Sequence, residues 1–191
     1  MRRLFLVGFA LLWLLALNIF AGEIREFDLR TIERLGNELT RVSQTRDKGA
    51  TTQVRTHARD TAMAALKGKL FDARYQYIVL NDPDGSGFLV YALASGNKTS
   101  IGGHFRVTVS SNGSEVERID KLLRGILRQR AMPAGATPVV SSLFDPDNKM
   151  PDETYIYTNR LSGVPIYVGF KDKSIWEIAN GRITRLKEKL D

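Results

Sequence analysis

Apolar side chains recur at spacings of three and four through residues 23–44, where Ile24, Phe27, Ile32, Leu35, Leu39 and Val42 alternate with Arg and Glu, broken once at Leu29. That spacing gathers them on one stripe of an amphipathic helix. Gly36 is the weakest helical position in it. Residues 48–52 read as a turn with a cap, and Val54, Ala58, Ala62, Ala65 and Leu66 predict a second helix running to about Leu70, with Gly68 near its end.

The period then switches to two. Residues 74–80 and 88–94 are rich in Tyr, Val, Ile and Leu, and the Asn-Asp-Pro-Asp-Gly-Ser-Gly run between them is a turn, so two adjacent antiparallel strands are expected. Residues 104–110 alternate: Phe105, Val107 and Val109 share one face, and His104, Arg106, Thr108 and Ser110 share the other, which is solvated or lines something. Ser111-Asn112-Gly113-Ser114 favours a tight hairpin, yet Ser114 with Glu117 also forms a capping box. The reading adopted is a short strand near Val116 and a helix over residues 121–130. A linker rich in Pro, Gly and Ala precedes strands at 139–144, 154–161, 164–170, 174–178 and 182–186, joined in part by Ser162-Gly163 and Asn180-Gly181 turns, a pattern that predicts an antiparallel meander. Pro165 near the start of its strand suits an edge.

The fold class expected is therefore α+β: two amphipathic helices, then a mainly antiparallel sheet with one further helix. Ahead of these stands an N-terminal signal or anchor helix. After Arg2 and Arg3, residues 4–22 carry no charged side chain. A helix of that length measures about 28 Å, close to the hydrocarbon thickness of a bilayer, and the best cleavage point, after Ala21, puts Ile19 at minus three. A permanent anchor and a cleaved leader both fit. With the two arginines inside, the bulk of the chain lies outside in either case. The expected organisation is a leader at 1–22, a helical segment at 23–72 that continues as a stalk if the leader stays, and an α+β domain at 73–191.

Composition narrows the chemistry. The 191 residues contain no cysteine, which excludes disulfides, thiolate nucleophiles and cysteine-ligated zinc. Beyond the leader there are 26 Lys and Arg against 21 Asp and Glu, a modest excess. Outside a membrane the natural anions are lipid head groups and envelope polysaccharides, so nucleic acid is not an expected partner. Lys121, Arg124, Arg128 and Arg130 form a basic stripe on the helix expected there, suited to an anionic surface or simply to solvent.

Residues 80–85 before 89–93, Gly102-Gly103-His104-Phe105-Arg106 before Val109-Ser110 and Val116-Glu117-Arg118, then Glu153-Thr154, residues 165–169, Trp176 and Gly181-Arg182-Ile183 resemble a group of small secreted or envelope proteins of proteobacteria. The resemblance spans roughly residues 75–186 and implies a cell-envelope location. It implies no activity, since none is established for the group. Many members carry a cysteine after the strand equivalent to residues 116–119; this chain has none.

Candidate sites follow from residue type. Asp82 and Asp84 set oxygens at alternate positions, as a calcium loop begins, although position twelve is Leu93 rather than the bidentate Glu of an EF-hand. Asp145 and Asp147 repeat the Leu-x-Asp-Pro-Asp pattern 63 residues later, so the candidates for a metal are Asp82, Asp84, Asp145 and Asp147, with calcium the one cofactor considered. Of two histidines, His57 lies among arginines, whereas His104 follows Gly102-Gly103 beside Arg106. His104, Arg106, Tyr77 and Tyr91 are the ligand-binding candidates. No Gly-x-Ser-x-Gly, Ser-x-x-Lys, His-Glu-x-x-His or Walker pattern is present. The reading preferred is a non-catalytic exported envelope protein, periplasmic or anchored in the inner membrane, that binds a partner protein or an anionic envelope component. Two alternatives are a hydrolase centred on His104 with Asp82 or Asp84, and an accessory subunit of a membrane assembly.

Overall fold

The computed structural model describes residues 24–95, 100–128, 141–146 and 148–187. The expected leader helix and Asp147 lie outside them. The fold is α+β, with three helices and two four-stranded sheets among the described residues. The chain enters as an extended segment, residues 24–28, which packs under the first sheet before α1 (Leu29–Ser43) begins. Asp28 caps α1 by accepting from the Thr31 N–H at 3.0 Å. The helix predicted from residue 23 thus starts six residues later, at the break marked by Leu29.

Helix α2 (Gln53–Leu66) is capped by Thr52, as the turn chemistry of residues 48–52 anticipates. Strands β1 (Arg74–Asn81), β2 (Phe88–Ser95), β3 (Ser100–Val109) and β4 (Val116–Arg128) form an antiparallel sheet in that order. Residues 116–128 are a strand, not the helix expected from residue 121. The Asn112-Gly113 hairpin prevails over the capping box because Gly113, at φ 77°, fits against the backbone of α2 where any Cβ would collide with Val54 and Ala58. The resulting register sets Asp120 opposite Arg106.

The second sheet has the order β5 (Ser141–Asp145), β6 (Ile166–Phe170), β7 (Ile175–Ala179) and β8 (Arg182–Lys187). Three of its strands form the expected meander, and Asn180 and Gly181 turn β7 into β8 with both residues at positive φ. Strand β5 instead runs parallel to β6, and the crossover between them is α3 (Glu153–Ser162), where residues 154–161 were expected to be a strand. Capping overrides the β-branched and aromatic composition here. Asp152 accepts from the Thr154 N–H at 2.8 Å, and Gly163 closes the helix at φ 69° in the left-handed region. Ser162-Gly163 is thus a helix stop.

Four layers result. Ala58, Ala62 and Leu66 of α2 cover one face of the first sheet, against Val79, Val90, Phe105 and Val107. The other face presents Ile78, Leu80, Leu89, Tyr91 and Leu93 to a larger core shared with α1, α3 and the inner face of the second sheet, including Val168, Trp176 and Ile178. Leu35 and Leu39 of α1 are fully buried there, so α1 is a central packing helix rather than a stalk. The outer face of the second sheet carries Phe144, Tyr167, Ile175 and Thr184 at partial or full exposure. No helix among the described residues is long and apolar enough to cross a membrane.

Gly36 marks where α1 and α3 cross. A Cβ there would stand 2.7 Å from the Glu153 carbonyl oxygen and closer still to the Ile156 side chain. Replacing a helical glycine by alanine ordinarily gains up to about 1 kcal/mol. Here overpacking, at about 1–3 kcal/mol, is the larger effect. Gly36→Ala is therefore expected to lower the urea midpoint; a raised midpoint would show that the crossing has slack.

Candidate functional site: a buried arginine network beside a cleft

The alternation of β3 places His104, Arg106 and Thr108 on the face that meets the larger core, and all three are buried. The polar face read from the sequence is therefore interior. Arg106, with a side chain 1% exposed, is the hub. Its Nε and Nη2 donate to Asp120 Oδ2 at 3.1 and 2.8 Å, and Nη1 donates to Glu153 Oε1 at 2.6 Å. Nη2 also donates to the Arg25 carbonyl. Tyr91 donates its hydroxyl to the same Glu153 oxygen at 2.8 Å. One guanidinium thus ties together β2, β3, β4, α3 and the entering segment.

Arg25 extends the network outward. Its guanidinium forks onto Asp82 at 2.6 and 2.7 Å and reaches Asp84 at 2.9 Å. The Arg25 N–H donates to Asp120 Oδ1 at 3.2 Å, and Arg118 Nε donates to the same oxygen at 2.6 Å. The Phe27 ring lies 4.8 Å from the Arg25 guanidinium carbon and 4.7 Å from that of Arg106, within cation–π range of both. Burial opposes the charge on Arg106, but Glu153, Tyr91 and Asp120 more than offset it and raise its pKa above the ordinary arginine value. Burial likewise works against ionised Asp82, yet the Arg25 hydrogen bonds hold its carboxyl below the usual range. Tyr91 is pushed well up, by burial first and Glu153 second.

A narrow cleft opens beside this network between residues 24–27 and residues 148–153, with Ile32 behind. Its walls include Ile24, Phe27, Met150 and Pro151, and Asp152 and Glu153 lie among its lining. The free space suits one or two water-sized groups. Asp152 is 4% exposed, and its Oδ1 takes the Thr154 hydrogen bonds. Its Oδ2 has no hydrogen-bond partner among the described residues. Burial and then the adjacent Glu153 carboxylate raise the Asp152 pKa from 3.8 to about 7.

The described acidic residues of the two Asp-Pro-Asp loops have separate partners. Asp82 and Asp84 are engaged by Arg25. Asp145 is buried and accepts from the Asn148 N–H at 3.2 Å, the Asn148 side-chain amide at 2.8 Å and the Tyr155 hydroxyl at 3.1 Å. No three acidic or histidine side chains converge on a metal position among the described residues. Tyr77 belongs to the opposite face of the first sheet, against the α2 core.

His104 has a structural task. Strand β3 leaves β2 beyond Phe105, where Gly102 and Gly103 take positive φ, and this deprives the end of β2 of a ladder partner on its β3 side. The imidazole replaces that partner: His104 Nδ1 accepts from the Ala94 N–H at 3.0 Å. Burial lowers the His104 pKa from 6.5 to about 4, so the ring stays neutral. Arg25, Phe27, Asp120, Asp152 and Glu153 are not among the site residues expected from the sequence. Asp152-Glu153 carried a detectable helix-start signal, whereas the role of Arg25 depends on contacts 57 and 95 residues away.

No protein-family model, curated protein or solved structure matches this chain.

His104 and Asp152 impose opposite pH dependences. His104 protonates near 6.5 when unfolded and about 4 when folded, so acidification through that window costs roughly 3 kcal/mol of stability. Asp152 ionises near 3.8 unfolded and about 7 folded, so stability falls as pH rises through that window. His104→Gln should leave a protein whose urea midpoint climbs as pH is lowered from about 6.5 to 4.5. Asp152→Asn, which retains the cap, should do the reverse, and parallel profiles for both variants would contradict the assignment.

Proposed function

We propose that this protein is a non-catalytic binding module exported to the cell envelope, held in the periplasm or by its leader on the outer side of the inner membrane. The observation that carries the binding reading is the closure of its polar centre. Arg106, Asp120, Glu153 and Tyr91 satisfy one another, which fixes geometry and pairs no nucleophile with a base within this network among the described residues. The hydrolase alternative is weakened because the lone pair of His104 Nδ1 is committed to the Ala94 amide. A stalk-type assembly subunit is disfavoured because the apolar stripe of α1 is consumed inside the fold. What remains available is the cleft, a small preformed concavity with a buried carboxylate of raised pKa, the combination expected of a binding site.

Export rests on the charge-free residues 4–22 behind Arg2 and Arg3. The lack of native cysteine makes it directly measurable. Thr184 is exposed on β8, and a Thr184→Cys full-length protein in bacterial cells with a permeabilised outer membrane should react with a membrane-impermeant maleimide. Labelling that appears only after the inner membrane is lysed would contradict export.

A further inference from the structure

The cleft is lined by the acidic Glu26, Asp152 and Glu153 and by the basic Arg25 and Lys149. Arg106 engages Glu153, and Arg25 engages Asp82 and Asp84. Asp152 takes the Thr154 hydrogen bonds through Oδ1 alone; its Oδ2 is buried and accepts no hydrogen bond among the described residues. A buried carboxylate oxygen left in this condition is costly, and the raised pKa of Asp152 expresses that cost.

The dimensions restrict what can relieve it. A divalent metal needs several ligands, and no third acidic or histidine side chain joins Asp152 and Glu153 in a metal-binding group among the described residues. Guanidinium is too broad for a space of one or two waters, whereas an ammonium group is close to water in size and brings three donors. Ile24, Phe27 and Met150 give the cleft an apolar wall along which a carbon chain can lie.

We propose that the cleft between residues 24–27 and 148–153 binds a primary ammonium group, with Asp152 as its counter-ion and the attached carbon chain against Ile24, Phe27 and Met150. The assignment rests on the reading of this domain as a binding module and names its ligand class. It does not depend on export: a failed maleimide experiment leaves the titration below unaffected.

The test uses the isotopically labelled full chain in detergent, titrated with ethylammonium chloride and, at equal ionic strength, tetraethylammonium chloride. Ethylammonium should shift the backbone amides of Met150, Asp152 and Glu153 saturably. Tetraethylammonium, bulkier and without N–H donors, should not. Asp152→Asn should weaken the effect by about tenfold or more, as expected for loss of one charge-assisted hydrogen bond. Asp152→Ser also retains a cap and replaces that variant if it fails to fold. Vesicles of phosphatidylethanolamine set against phosphatidylcholine distinguish a lipid head group from a free amine: selective binding to the former assigns the lipid source, and equal binding assigns the free amine. Equal responses to the two soluble salts, or an ethylammonium response that survives both substitutions, would overturn the proposal.

Discussion

A guanidinium buried between layers cannot be left unpaired, and the architecture of this protein follows from satisfying one. Taking the Arg106 charge out of water costs several kcal/mol, recovered only if carboxylates and carbonyls meet its donors in good geometry. The partners come from three places distant in sequence: Asp120 on the neighbouring strand, Glu153 on α3 and the carbonyl of Arg25 in the entering segment. Each must be in position for the others to be tolerated. The network therefore sets the register of β3 with β4, the seating of α3 and the path of the first described residues. Hydrophobic burial supplies most of the stability, while the network selects which packing is adopted.

The apolar layers are arranged to permit this. Gly36 lets α1 approach the backbone of Glu153 itself, so the helix crossing and the ion network are adjusted together. Tyr91 projects from β2 into the same core and adds its hydroxyl to the Glu153 oxygen already held by Arg106. Phe27 places its ring beside both arginines, covering the network where the chain enters. Asp152 differs from these groups: it starts α3, faces burial with one oxygen unmatched and lies among the residues of the cleft.

The legible parts of the fold were those fixed by local chemistry. The stripe of α1, the Thr52 cap, the turn at residues 82–87, the alternation of β3 and the Asn180-Gly181 hairpin all depend on neighbours within a few positions. Residues 116–128 carry apolar side chains compatible with either period, and the Gly113 hairpin against α2, which sets Asp120 opposite Arg106, decided between them. Residues 154–161 show strand-like composition, but Asp152 before them and Gly163 after them impose a helix. Arg106 and His104 were recognisable as unusual, yet their roles were not, because interior pairing and solvent exposure look alike in one sequence. Nothing local to Arg25 signals its contacts with Asp82 and Asp120.

A domain organised in this way holds its polar groups rigid, which suits recognition: the cleft inherits fixed walls from the network beneath it. The central claim is that Arg106 and Glu153 act as a unit, and a double-mutant cycle on their stability tests it most directly. Arg106→Met and Glu153→Met should each cost about 3–5 kcal/mol in urea unfolding, since each strands a buried charge. The double replacement should cost less than the sum by about 2 kcal/mol or more. Additivity within about 0.5 kcal/mol would contradict the account.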